Sequence, residues 1–184
     1  MNKELESVLE FWFNELTPKD WYSGAPEVDA KITERFSDVH AVVAAGEFAD
    51  EWDSGKAYLA EVIVLDQFSR NMFRDTAEAF AYDEQALALA QEAIAKGLDT
   101  EMNEQEKQFL YMPFMHSESR EVHEQALALF EALGNEENLK YEKIHKDIVD
   151  RFGRYPHRNE QLGRESTEEE KKYLANNHEG FFNS

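Results

Sequence analysis

The sequence predicts an all-α protein built from helical hairpins that repeat and stack. Apolar residues return at i, i+3 and i+4 along nearly the whole chain, the spacing of one helix face. The hexapeptide E-Q-A-L-A-L occurs at 84–89 and again at 124–129, an offset of 40 residues. The chain has 184 residues, 42% of them hydrophobic and 12% aromatic, enough for one domain with a substantial core.

The elements follow in order. Leu5, Val8, Leu9, Trp12 and Leu16 mark a first helix. Thr17-Pro18 and Ser23-Gly24-Ala25-Pro26 then punctuate a loop. Ile32, Phe36, Val39 and Val43 mark a second helix, ending near Gly46. Asp53 or Ser54 caps a third, which runs through A-Y-L-A-E-V-I-V-L-D-Q-F-S-R-N-M-F-R. Val62 to Leu65 alone would suit a buried strand, but the helical pattern on both sides outweighs it. Pro113 should kink or end the helix that precedes it. Tyr141, Ile144, Ile148 and Phe152 give a late helix an apolar face, with His145 beside it. A last helix starts at a capping box, Thr167 with Glu170 or Ser166 with Glu169, and the terminal N-N-H-E-G-F-F-N-S frays.

The repeat sets the architecture. At the offset of 40, T-A-E-A-F-A-Y-D-E-Q-A-L-A-L lies over H-S-E-S-R-E-V-H-E-Q-A-L-A-L, and Glu78 matches Glu118. Ala86, Ala90 and Ala93 fall at the spacing of Ala126, Phe130 and Leu133. Small and aromatic residues at i, i+4 and i+7 resemble the second helix of a tetratricopeptide repeat. A period near 40 implies one helix pair per unit. The predicted fold is therefore a short right-handed solenoid of tetratricopeptide-like hairpins. A single domain spans 1–184, with N-terminal helices over about 1–50 and helix pairs over about 54–97, 104–134 and 140–176.

Composition removes several function classes. Without cysteine there is no disulfide scaffold, thiolate zinc site or Cys nucleophile. Acids outnumber bases 39 to 19, for a formal net charge of -20, and phosphate backbones and anionic membranes would be repelled. No nucleic-acid or membrane partner is expected. The N-terminus lacks a basic start and a small-residue cleavage site. No apolar run approaches the ~20 residues that span a bilayer. The expectation is a soluble cytoplasmic protein.

Against that acidity, six of the eight arginines fall in two windows, and arginine clusters suit planar recognition of carboxylate or phosphate. The first cluster, L-D-Q-F-S-R-N-M-F-R, puts Asp66, Arg70 and Arg74 at i, i+4 and i+8 with Gln67 and Asn71 alongside. The second, M-P-F-M-H-S-E-S, gathers His116, Ser117 and Glu118, with Ser117 either a nucleophile or the cap of the next helix. The third, D-R-F-G-R-Y-P-H-R-N, presents Arg151, Arg154, His157, Arg158 and Asn159 around Gly153 and Pro156. Shifting residue 74 by 40 gives 114 and then 154, so all three clusters fall at equivalent corners. Stacked corners lie ~8–10 Å apart, which would bring the clusters together.

At these motifs, with the following L-G-R-E-S-T-E-E-E, the chain resembles the bacterial family called domain of unknown function 924 over nearly its whole length. Ser69 stands where relatives often carry Pro. The resemblance implies an all-helical, tetratricopeptide-like fold and brings no established activity.

Two readings of function stay open on the residues. In the first, Gln67, Arg70, Asn71, Arg74, Ser117, Arg151, Arg154, Arg158 and Asn159 hold a small anionic ligand. Asp66, His116, Glu118, His145 and His157 are then the candidates for proton transfer. In the second, the arginine edge belongs to a peptide-binding adaptor, or to a structural network of arginines and acids. No cofactor is predicted, and no metal, because His116, Glu118, His145 and His157 lack the i, i+4 spacing of a helical metal motif. Trp12, Trp21 and Tyr22 are read as exposed aromatics that cover the first repeat or a homodimer partner.

Overall fold

The structure, a computed structural model, describes residues 1–48 and 54–176. Among the described residues every regular element is helical. Helix α1 (Lys3–Glu10) starts at Asn2, whose side chain accepts from Glu4 N at 2.8 Å, and continues as a π-helical stretch, Phe11–Glu15. A capping box of Thr17 and Asp20 opens α2 (Pro18–Trp21). Pro26 opens α3 (Pro26–Ala44). The capping position of α4 (Gly55–Val62) is Ser54, while Asp53 lies outside the described residues. This helix runs on through a π-helical stretch, Ile63–Phe68, into α5 (Ser69–Met72). The strand alternative for Val62 to Leu65 does not occur.

The α4–α5 rod is the axis of the molecule. Every residue from Ala57 to Arg70 is buried. A helix apolar on most sides belongs at a centre, and this one packs against α1, α6 and α7, while α3 covers its far end. Gly55 lets the rod start close to its neighbour, since a Cβ there would meet Leu98 O at 2.8 Å. The core is aromatic: Phe68 lies 5.0 Å from Phe36 and 5.8 Å from Trp12, centroid to centroid. Trp12 and Trp21, read from sequence as exposed, are 1% and 9% exposed and stack on each other. Large rings bury more apolar area than any other side chain, so these two fill the core at the first turn. Tyr22 does stay exposed.

Helix α6 (Asp83–Ala95) packs on α4, and α7 (Glu104–His116), α8 (Arg120–Leu133) and α9 (Glu136–Phe152) each pack on the preceding one. The two E-Q-A-L-A-L copies lie in α6 and α8, and Ala86, Ala90, Ala126 and Phe130 are all buried. A last helix, α10 (Glu168–Asn176), begins at the Thr167–Glu170 capping box, with bonds of 2.9 and 3.1 Å. The terminal segment beyond Asn176 lies outside the described residues.

Three local expectations meet the structure differently. Pro113 does not end α7, which continues to His116. The carbonyls beyond the proline are capped from outside, as Tyr155 Oη donates to Met115 O and Arg158 Nη2 to His116 O at 2.9 Å. Ser117 closes α7 and does not cap α8; that role belongs to Ser119, which accepts from Val122 N at 3.4 Å. The apolar face read on α9 is also rotated. Tyr141 is 45% exposed, whereas Asn138, Glu142 and His145 are buried with Ile148 and Val149. Hydrophobic spacing misses a face whose buried members include polar side chains. Among the described residues no helix is long and apolar enough to cross a membrane.

Candidate functional site

The central feature is a buried charge cluster at the C-terminal end of the α4–α5 rod. The π-helical stretch places Asp66 wholly inside, and π-helical turns often mark functional positions. Its carboxylate meets His116 Nδ1 at 2.7 Å and accepts from Gln67 Nε2 at 2.7 Å. Arg70 sits 3.4 Å from the same carboxylate and makes a two-pronged bond to Asp83 at 2.8 and 3.0 Å. Arg158 comes from the far loop to lie 3.5 Å from Asp83, between the rings of Phe80 and Tyr155 at 4.5 and 4.7 Å. Two arginines thus face two acids, and the charge closes on itself.

The ionisation of the pair follows. Burial resists charge on Asp66, yet His116 and Arg70 outweigh it and hold the carboxyl below its usual range. Burial, then the charge of Arg70, pushes His116 below the ordinary imidazole value, and Asp66 only partly restores it. At neutral pH the arrangement is a carboxylate beside a neutral imidazole. The carboxylate needs a donor, so the proton sits on Nδ1 and the lone pair on Nε2.

This cluster forms the inner end of a cleft of about 840 Å³. The floor comes from Gln67, Arg70, Asn71 and Arg74, and one side from Gln108, Met112, Met115 and His116 of α7. Trp21 at the end of α2 and Tyr22 just after it border the cleft with Asn138, Tyr141 and His145 of α9. The volume lies within the range of small-ligand sites, about 300–1,000 Å³. Burial pushes the His145 imidazole down to about 3, and its Nδ1 meets Tyr141 O at 2.7 Å. Among the described residues no group of three or more acids or histidines is placed to hold a metal ion.

The sequence-read residues divide. Gln67, Arg70, Asn71, Arg74, His116 and His145 border the cleft, and Asp66 lies directly behind His116. Of the third cluster only Arg158 reaches this centre, and it is 4% exposed, not presented to solvent. His157 borders a separate small void beside Arg70 and Arg74. The remaining arginines hold a loop. Arg164 grips Glu118 at 2.8 and 2.9 Å, and Glu118 also accepts from Tyr155 N at 2.8 Å. Arg154 grips Glu170 at 2.8 and 2.9 Å, and buried Asn159 bonds Ser166 and Glu170. Arg151 pairs with Glu169 on the surface. Ser117 Oγ accepts from Ser119 N at 3.2 Å and does not border the cleft. These corners are held together by carboxylates, so Arg151, Arg154, Asn159, Ser117 and Glu118 do not share one site with Arg70.

Three acids and a histidine were missed from sequence. Asp29 of α3 ties Arg74 at 2.7 and 2.8 Å and Asn71 at 2.7 Å. Asp83 bridges Arg70 and Arg158. His123 joins Glu142 at 2.7 Å, Ser117 O at 2.7 Å and Tyr155 Oη at 3.0 Å. A signal for two of them existed, because the 40-residue register that aligns the repeats also sets Asp83 over His123. Each enters the first turn of its second helix and holds the adjacent corner. For Asp29 no signal separates it from the other surface acids of α3.

The family described as bacterial protein of unknown function (DUF924) matches residues 8–178. A solved structure of a protein of unknown function from Agrobacterium tumefaciens, ATU0120, is 37% identical, with a TM-score of 0.89. The match covers 94% of this chain and 97% of that one. No curated protein matches the chain.

Proposed function

We propose, for a chain that belongs to this bacterial family of unknown function, that the cleft holds a small organic ligand and that His116, oriented by Asp66, acts on it as a general base. The observation that carries the reading is His116 bordering the cleft with Nδ1 committed to a wholly buried carboxylate. That leaves Nε2 to take a proton from a ligand or from a water held beside it. Asp66 is a positioning residue, fixing the tautomer as the acid does in other carboxylate–histidine pairs. Among the described residues that border the cleft the hydroxyl side chains are Tyr22 and Tyr141, with no serine or threonine, and Ser117 lies off it. The reaction class is therefore proton abstraction or hydrolysis by activated water.

The arginines at the cleft leave little free charge for an anionic ligand. Arg70 already faces two carboxylates and Arg74 is tied to Asp29. An anionic group would fall to Lys19 and to Arg74, in competition with Asp29. We further infer a single domain and tetratricopeptide-like stacking. In support, α6 and α8 occupy equivalent places, and the polar corners follow the ends of α5, α7 and α9. A cleft of this volume suits a small molecule better than a peptide segment.

A thermal-shift screen against small organic metabolites tests the reading, run on wild type beside Gln105→Trp. Gln105 is exposed at the cleft and makes a mild place to fill the mouth. At least one compound should raise the melting temperature of wild type and not of the filled variant. A screen in which every compound treats the two proteins alike would sink the cleft as a ligand site.

A further inference from the structure

Among the described residues the large hydrophobic side chains left exposed are Met1, Tyr22 and Tyr141, at 36%, 58% and 45%. Both tyrosines border the same cleft and approach it from different elements, Tyr22 just after α2 and Tyr141 from α9. The Tyr22 hydroxyl accepts from the Gln108 amide, so the phenol is anchored while much of its ring stays in water. Two rings at one mouth offer faces that a third ring can cover, removing apolar surface from water.

A second observation concerns the amides. Gln67, Asn71, Gln108 and Asn135 donate to Asp66, Asp29, Tyr22 and Glu104. Asn138, on the α9 side, is 8% exposed, and its Nδ2 has no hydrogen-bond partner among the described residues. A buried donor is expected to find an acceptor; Asn138 borders the cleft, and a turn of its side chain would bring the enclosed Nδ2 to an acceptor there.

We propose that the cleft is built for a planar aromatic amide or acid, its ring covered by Tyr22 and Tyr141 and its carbonyl oxygen accepting from Asn138 Nδ2. This rests on the cleft being a ligand site and names the ligand class. The ring gives affinity without a charge, which suits a cleft whose arginines are already paired. Glu142 Oε2, one turn along α9, also lacks a partner among the described residues, so an Asn138–Glu142 bond is the rival account of the amide.

The test is isothermal titration with benzamide, benzoate, cyclohexanecarboxamide and acetamide, on wild type and on Tyr22→Leu, Tyr141→Leu and Asn138→Asp. Both tyrosines are surface residues, and melting curves confirm that each variant is folded. Benzamide and benzoate should bind, with cyclohexanecarboxamide about tenfold weaker and acetamide weaker still. Each tyrosine variant should weaken benzamide about 2- to 10-fold. Asn138→Asp, which turns the donor into an acceptor, should weaken it about 10-fold. Cyclohexanecarboxamide binding as tightly as benzamide, or tyrosine variants without effect, overturns the aromatic class while the cleft remains a ligand site. An Asn138→Asp variant that melts earlier yet keeps its benzamide affinity overturns the carbonyl contact in favour of the Glu142 bond. If none of the four compounds binds wild type, the ligand class fails. The Gln105→Trp screen then decides separately whether the cleft fails with it.

Discussion

The cluster around Arg70 and the cluster around Arg164 use the same chemistry for different ends. Both set arginine forks on carboxylates at hydrogen-bond distance. The first is sealed, with Asp66, Arg70 and Arg158 all at 5% exposure or less, and it backs onto a cleft through His116. The second is about a quarter exposed, with Arg164 and Glu118 at 23% and 26%, and it ties the loop after α9 to the start of α8. Arginine enrichment therefore marks places where distant segments are fastened. Chemistry becomes available only where such a fastening orients a histidine at the wall of a void.

The comparison is broken most severely at Asp83. Asp83→Ala leaves Arg70 and Arg158 facing one carboxylate in a dry site, and removing one partner of a buried ion pair costs about 3–5 kcal/mol. Urea unfolding should show that loss or an unfolded variant. A change under 1 kcal/mol would mean the cluster is not sealed.

Acidity separates the two regions next. His116 and His145 are depressed by burial, so below the ordinary imidazole value of about 6.5 the unfolded chain binds protons that the native state refuses. Stability on the cleft side should fall as pH drops from about 6.5, continuing toward the His145 value of about 3. On the loop side Glu118 and Glu170 are held low, Glu170 at about 2, against burial and by Arg164 and Arg154. Their contribution is present above about pH 4.3 and is lost as pH falls through the folded values. Unfolding midpoints of His145→Asn should be flatter than wild type between pH 6.5 and 4.5. Glu170→Gln should keep that slope and lessen the one below it.

Smaller effects sharpen the contrast. Glu118→Gln weakens a fork about a quarter exposed and should cost about 1–2 kcal/mol in urea, less than Asp83→Ala. Arg151→Ala removes a pair with both partners more than half exposed and should shift stability by less than about 0.5 kcal/mol.

Much of the fold was legible in the sequence, because apolar spacing and the two E-Q-A-L-A-L copies report faces that bury hydrophobic surface. The cleft floor was legible too, since Gln67, Arg70, Asn71 and Arg74 share one run of chain with Asp66 behind them. What stayed hidden depends on partners. The α9 face that carries Asn138, Glu142 and His145 reads as exposed until its bonding groups are placed around it. Pro113 reads as a kink or a helix end, and α7 runs on to His116 with Tyr155 and Arg158 capping the carbonyls beyond the proline. Arg154 and Arg151 are held by nearby Glu170 and Glu169, pairings that the repeat register does not report.

The most direct test of the base assigned here is a nitrogen-15 side-chain spectrum of His116, titrated in wild type and in Asp66→Asn. The account predicts a neutral ring at pH 7 with the proton on Nδ1 and the lone pair on Nε2. Asp66→Asn should loosen that preference between tautomers. A proton on Nε2 at pH 7, in either a neutral or a charged ring, would contradict it.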